Sequence, residues 1–173
     1  MTEGLEFAIR AAAMGVGATA TSDLWGQALW RATGAPPPNW GLVGRWIGHF
    51  PRGRFVHDSI AKAAPVAGER VIGWAAHYAI GLIFAATLLA IAGPGWAQRP
   101  TPLAPVLFGL ATVAAPFLTM QPGMGMGIAA SRTPSPGKSR LRSLANHLVF
   151  GLGLYGAALL AAAVLPAGGG PAA

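Results

Sequence analysis

Three ionisable side chains stand in apolar stretches of this 173-residue chain and are its strongest candidates for chemistry. Asp23, His77 and His147 lie eight, seven and five residues, respectively, from the nearest Arg of an adjoining loop. At a rise of about 1.5 Å per residue, three helices would carry the three groups to a depth of about 8 to 12 Å. We therefore expect them to form one polar intramembrane cluster near a single face of the protein.

Several kinds of chemistry can use an Asp and two His. Such groups can relay protons, because His titrates near neutrality and burial shifts a carboxyl toward it. They can also bind a metal such as zinc, and two His on different helices can ligate a haem. No HExxH or paired-His motif separates these readings from a hydrogen-bonded structural role. The sequence predicts no cofactor, keeps Asp23, His77 and His147 as candidate metal ligands, and favours a protein that is not an enzyme.

Composition places these groups in a membrane protein. Hydrophobic residues make up 53% of the chain, charged residues only 10%, and the net charge is +7. This balance is far from that of a soluble domain. The absence of cysteine excludes disulfides and thiolate zinc sites. Because no recognition motif accompanies the basic residues, we expect anionic lipid headgroups as partners and no nucleic acid.

The hydropathy pattern predicts one all-α domain, an integral membrane bundle of four transmembrane helices. Each span needs about 20 apolar residues, and four stretches meet this length. They cover residues 6–30, 70–92, 102–121 and 143–165, joined by loops 31–69 and 122–142 and followed by a flexible tail, 166–173. Pro116 predicts a kink near residues 112–116. Residues 123–131 are either a re-entrant segment or a plain loop.

The distribution of positive charge predicts the orientation. Ten of the twelve Lys and Arg residues lie in or beside the first and third loops. The positive-inside rule places these loops in the cytoplasm and both termini in the periplasm. A cleaved signal peptide is the competing reading of the first segment, but Glu3 and Glu6 precede any base and Arg10 interrupts the apolar run.

Small and polar residues recur every four positions on three of the predicted helices. Such stripes let helix backbones approach and hydrogen-bond, so we expect the three to face one another. A homo-oligomer that shares these faces is a further expectation. The stripes are Gly15, Thr19, Asp23 and Gln27; Gly73, His77, Gly81 and Ala85; and Ser143, His147 and Gly151.

The long first loop contains "GRWIGHFPRGRFVHDSI", residues 44–60, in which basic and aromatic residues alternate. Such a segment suits the lipid headgroup layer, where Lys and Arg meet anionic lipid and aromatic rings settle. Alternatively, it folds back over the bundle as a cytoplasmic cap. The candidate cap residues are Arg45, His49, Arg52, Arg54, His57 and Asp58.

The segments "ATATSDLW", "LVGRWIGHFPRGRFVHDSI", "GERVIGWAAHYAIG", "APFLTMQPGMGMGIAASRTP" and "LRSLANHLVFGLGLY" are distinctive together. Over residues 8–163 the chain resembles a family of small bacterial inner-membrane proteins known only as a domain of unknown function. The resemblance implies a four-helix protein of the bacterial cytoplasmic membrane and supplies no activity. Its segments add Gln121 and Arg132 to the candidate site.

The sequence thus predicts an uncharacterised inner-membrane protein that moves protons or small ions, or serves a membrane stress response, through the Asp/His cluster. The alternatives are a membrane enzyme that binds metal or haem, and a scaffold that binds lipid or a partner without chemistry.

Overall fold

The computed structural model describes residues 2–165, which are helical with no strand, so the predicted tail 166–173 lies outside the described residues. Three short 3-10 helices lie in the loops, at Phe50–Arg52, Ile60–Lys62 and Ile128–Ala130. The α-helices are α1 (Glu3–Thr33), α2 (Trp40–Gly48), α3 (Glu69–Gln98), α4 (Leu103–Ala111), α5 (Gln121–Gly123) and α6 (Pro136–Val164).

Helix α1 lies antiparallel to α3. Near its N-terminus, the buried Arg10 reaches the Ala97 carbonyl near the C-terminus of α3, with 3.3 Å between the guanidinium nitrogen and the oxygen. Thirteen residues further along α1, Asp23 meets His77 in the first half of α3. The two helices therefore run side by side for most of their length.

Helix α1 is also antiparallel to α6, and small residues allow the contact. A Cβ on Gly17 would lie 2.9 Å from the Ala157 Cβ. Toward the other end, the Trp25 indole donates a hydrogen bond to the Asn146 side-chain oxygen at 3.2 Å. Small residues at the contact thus let the two helix backbones approach closely.

The segment from α4 to α5 (Leu103–Gly123) is one irregular helix that packs against α6. A Cβ on Gly109 would lie 2.6 Å from the Gly151 Cα, so the two backbones touch. Helix α4 ends at Ala111, and a π-helix covers Pro116–Met120. Pro116 has no amide hydrogen to donate to the preceding turn, which accounts for the irregularity expected near residues 112–116.

Three helical segments are long and apolar enough to cross a membrane: Glu69–Gln98, Leu103–Gly123 and Pro136–Val164. The sequence predicted four. Helix α1 has the length, but polar residues at Thr19, Thr21, Ser22 and Asp23 make its middle less apolar. The bounds of the others differ from the prediction: α6 begins at Pro136 rather than 143, and α3 continues to Gln98 through a kink at Gly93.

Residues 44–60 fold back over the bundle. Helix α2 lies directly on α3, because a Cβ on Gly44 would collide with the backbone of Glu69 and one on Gly73 with the Trp40 carbonyl. The loop after it then docks on the segment that follows α5, where the Ile60 amide donates to the Met124 carbonyl at 3.1 Å. Of residues 123–131, Gly123 ends α5 and the others form turns and a 3-10 helix in this contact.

Candidate functional site

The Asp23 carboxylate on α1 binds two side chains of α3. Its Oδ1 lies 3.0 Å from His77 Nε2, and its Oδ2 accepts a hydrogen bond from the Tyr78 hydroxyl at 3.1 Å. Because an ionised carboxylate only accepts, His77 Nε2 carries the hydrogen in this pair. Both oxygens of the Asp23 carboxylate therefore have a hydrogen-bond partner.

Aromatic rings surround the His77 imidazole. The Trp40 indole of α2 stacks on it with 3.8 Å between ring centroids and 20° between planes. Trp74, one turn earlier on α3, contacts the same imidazole edge to face at 5.8 Å. The stacking limits rotation of the ring and connects the cap helix to the Asp23 pair. A cationic imidazole on an indole face is also stabilised by the ring quadrupole.

His147 on α6 has a separate partner. Its Nδ1 lies 2.9 Å from the Thr112 hydroxyl oxygen, and that hydroxyl donates to the Gly109 carbonyl at 2.6 Å. A hydroxyl has a single hydrogen, so His147 Nδ1 must be the donor toward Thr112. This arrangement leaves Nε2 as the acceptor nitrogen of a neutral imidazole.

Asp23, His77 and His147 all line one cavity of about 990 Å³ between the helices. Most of its wall is apolar and aromatic, while its polar groups come from α1, α3, α5 and α6. A space of this size with a few polar groups is typical of a site for a small molecule. The other polar residues on the wall are Thr19, Ser22, Gln27, Tyr78, Thr119, Gln121, Arg142, Ser143 and Asn146.

Two of the three predicted stripes meet. Gly15 and Thr19 of α1 pack against Gly81 of α3, beside the Asp23 pair. The prediction that the third stripe joins them is wrong. The stripe of α6 faces the α4 to α5 segment, where His147 contacts Thr112. A different face of α6 contacts α1, so His147 joins the others only across the cavity.

A family comparison matches residues 12–161 to the family described as Protein of unknown function (DUF2938). The chain belongs to this family. The match covers nearly the same residues as the resemblance drawn from the sequence, and it confirms the expected membership of a domain of unknown function. No curated protein and no solved structure matches the chain.

In this DUF2938 chain, an ion pair fixes the start of the cap. The Arg45 guanidinium binds both carboxylate oxygens of Glu69, with Nε to Oε2 and Nη2 to Oε1 each at 2.8 Å. The hydrogen bonds with Glu69 raise the pKa of Arg45. A bidentate pair is stronger and more directional than a single contact, so it holds α2 in register on α3.

The other predicted cap residues divide into two groups. His49 and His57 are buried, at 2% and 7% exposure, with ring centroids 5.0 Å apart. Arg52, Arg54 and Asp58 are exposed. The cap therefore has a packed inner side built on the two His and a basic outer side.

The two further candidates lie apart from the Asp23 pair. Gln121 is buried at 4% exposure, lines the cavity and reaches the Ser143 hydroxyl at 3.4 Å. Arg132 is exposed and lines a smaller cavity of about 310 Å³ outside the first one.

The candidate metal set does not come together as one ligand group. Within residues 2–165, no three His, Asp or Glu side chains lie close enough to hold one ion. Asp23 and His77 are in contact, whereas His147 faces Thr112. The haem prediction likewise has no further support from these contacts.

Sequence reasoning missed four residues of the site: Trp40, Glu69, Tyr78 and Thr112. Tyr78 follows His77 directly, where helical periodicity puts a side chain on another face. Trp40 contacts His77 and Glu69 contacts Arg45 only because the first loop folds back on α3. Sequence spacing alone does not reveal such contacts. Thr112 lies in the region of the predicted kink. The prediction there concerned the backbone and did not include a contact of the Thr112 side chain.

Proposed function

We propose that this protein spans the bacterial cytoplasmic membrane four times, with α1 crossing it in addition to the three apolar segments. Helix α1 packs along α3 from Arg10 to Asp23 and along α6 from Gly17 to Trp25. A helix held beside two apolar helices over this length lies in the same layer of the bilayer. Its 31 residues extend about 46 Å, which exceeds a hydrocarbon core of about 30 Å.

The proposed orientation follows the positive charge. Ten of the twelve basic residues lie in or beside the predicted first and third loops. In this proposal both loops face the cytoplasm, so the N-terminus and the C-terminus lie in the periplasm. Anionic lipid headgroups are the proposed partners of the exposed bases Arg52 and Arg54 of the cap and of Lys62, which follows it.

We further propose that the cavity takes up a small cation with apolar parts and exchanges it for a proton. The observation that carries this proposal is the Asp23, His77 and Tyr78 group in the cavity wall. When His77 is protonated, its charge balances that of Asp23. When His77 loses the proton, the carboxylate charge attracts a cation into the cavity, and the rings of Trp40 and Trp74 offer it cation-π contacts.

Arg142, the other charged residue in the cavity wall, does not pair with the Asp23 carboxylate. Arg142 donates to the backbone carbonyls of Ala35 and Pro36, in the turn after α1. Asp23 is the sole carboxylate among the described lining residues. Loss of the proton from His77 therefore leaves the Asp23 charge locally unbalanced, and its return restores the balance.

Proteoliposomes that enclose a pH-sensitive dye test the exchange: a cation added outside should enter the lumen as protons leave it, which raises the lumenal pH. Tetraethylammonium and tetraphenylphosphonium serve as small and large probe cations. We expect the wild type to release protons in exchange for one of them and Asp23→Asn to lose this response. Asp58→Asn, which removes an exposed carboxylate outside the cavity, is the matched control. Equal responses of Asp23→Asn and wild type, or no response of the wild type to either cation, contradict the proposal.

Water access to the cavity is a second requirement. The chain has no native cysteine, so single cysteines report cleanly. Ala20→Cys and Thr119→Cys lie in the cavity wall and should react with a small polar thiol reagent in membranes. Ile83→Cys and Leu160→Cys, on outward faces with 60% and 70% exposure, should be inert in lipid. Inert cavity cysteines would favour the scaffold function instead.

A further inference from the structure

The cap contains a buried pair of histidines apart from the cavity. His49 and His57 are each more than nine-tenths buried, and neither lines the cavity. Among residues 2–165, three of their four ring nitrogens have no hydrogen-bond partner: His49 Nδ1, His57 Nδ1 and His57 Nε2. Buried polar atoms in proteins nearly always have a partner, so these nitrogens call for one.

The fourth nitrogen determines the state of its ring. His49 Nε2 lies 3.0 Å from the Ala64 carbonyl oxygen, which only accepts, so Nε2 carries the hydrogen. In the neutral ring, Nδ1 is then an unprotonated nitrogen with its lone pair in the protein interior. A metal-binding His usually donates its other ring N–H to a backbone carbonyl in this way.

The second ring is held by a different segment. The His57 amide donates to the Gly123 carbonyl at 2.9 Å, and the His57 carbonyl packs on Gly125, where a Cβ would lie 2.7 Å from its oxygen. Gly125 has a φ of 90°, which favours glycine. The backbones that carry the two rings are therefore fixed before any ligand arrives.

The distance between the rings suits one shared ion. Their centroids lie 5.0 Å apart, with 63° between ring planes. Two imidazoles on one ion at metal-nitrogen distances of about 2.0 to 2.1 Å and a tetrahedral angle have centroids about 5 Å apart. A small adjustment of side-chain torsions brings one nitrogen of each ring onto the same ion.

We propose that His49 and His57 bind one transition-metal ion that accepts imidazole ligands, Zn²⁺ or Cu⁺. His49 contributes Nδ1, and His57 contributes whichever nitrogen is unprotonated. No third His, Asp or Glu joins the pair among residues 2–165, so water or backbone carbonyls complete the coordination. Cu⁺ accepts few ligands, whereas Zn²⁺ usually takes four. The proposal is independent of the proton exchange in the cavity.

A binding experiment on the full chain in lipid and detergent tests the site. The protein is stripped with a chelator and dialysed against micromolar Zn²⁺, against Cu⁺ under reducing conditions, or against Mg²⁺ as a hard-cation control. Elemental analysis then counts ions per chain. We expect one Zn²⁺ or one Cu⁺ per wild-type chain and no Mg²⁺; the ion retained identifies the metal.

Two sets of variants locate the ion. His57→Ala should weaken binding at least tenfold, whereas the double variant His77→Gln/His147→Gln, which changes the cavity, should bind like the wild type. The reverse pattern overturns the proposal, as does a wild type that binds neither ion.

Since His57 is buried, His57→Ala could also reduce folding. The thermal midpoint of the wild type with and without metal provides a test that needs no variant. A rise in the midpoint on adding the ion, together with imidazole scattering in the X-ray absorption spectrum, supports the site. An absorption spectrum without imidazole scattering contradicts it.

Discussion

Asp23 Oδ2 accepts a hydrogen bond from the Tyr78 hydroxyl across the contact between α1 and α3, at 3.1 Å. Its other oxygen meets His77, so one carboxylate connects to two consecutive residues of the facing helix. Gly15 lies two turns before Asp23 on α1, and Gly81 lies one turn after His77 on α3. These small residues let the helices approach closely enough for both contacts.

The contribution of the tyrosine can be measured alone. Tyr78→Phe removes one interhelical hydrogen bond and keeps the ring, so we expect the free energy of unfolding to fall by about 0.5 to 1.5 kcal/mol. Asp23→Ala should cost more, because His77 also loses its partner. Chemical or thermal unfolding in detergent gives both values. An Asp23→Ala protein as stable as Tyr78→Phe would show that the His77 contact stabilises nothing.

The packing of α2 on α3 depends on two glycines, Gly44 and Gly73. Gly73→Ala places a Cβ against the Trp40 carbonyl, so α2 must move away from α3. We expect a loss of about 1 to 3 kcal/mol in unfolding free energy, as for other overpacked contacts, and faster proteolysis of the first loop. Gly156→Ala is the control, since a Cβ there meets nothing within 4 Å. Equal cleavage rates for the two variants would argue against a docked cap.

Local pattern was enough to predict part of this arrangement. Apolar runs predicted the long helices, since a chain in lipid must satisfy its backbone hydrogen bonds internally. The spacing of Gly15, Thr19 and Asp23 predicted the face that α1 turns to α3, because the helical period fixes which residues share a face. His77 followed by the same rule.

Contacts between distant parts of the chain were not predictable in this way. Helix α2 packs on α3 through Gly44. Because glycine disfavours helix formation, no local signal in the sequence predicted this helix. On α6, the stripe with Gly151 and the face with Gly153 both carry small residues, so the sequence does not say which one meets α1. The π-helix at Pro116 also shifts the register of the residues that follow it.

The ion pair of the cap should respond to charge rather than to size. Glu69→Gln keeps the shape but removes the charge opposite Arg45, so we expect a lower unfolding midpoint and a smaller difference in high salt. The swapped pair Arg45→Glu/Glu69→Arg should recover part of the loss. A double variant no better than the single ones would show that the two residues act independently. Unfolding curves at two salt concentrations measure this.

The topology can be tested apart from any activity. The positive charge of the cap side predicts that both termini face the periplasm if α1 crosses the membrane with α3, α4 to α5, and α6. A phosphatase reporter that works only in the periplasm should therefore be active when fused after Ala173 and inactive when inserted after Lys62, in the first loop. An N-terminal fusion distinguishes four spans from three. Because α1 alone separates the N-terminus from the cap, a cytoplasmic N-terminus with a periplasmic C-terminus would mean that α1 does not cross. A cytoplasmic signal from both ends would reverse the proposed orientation.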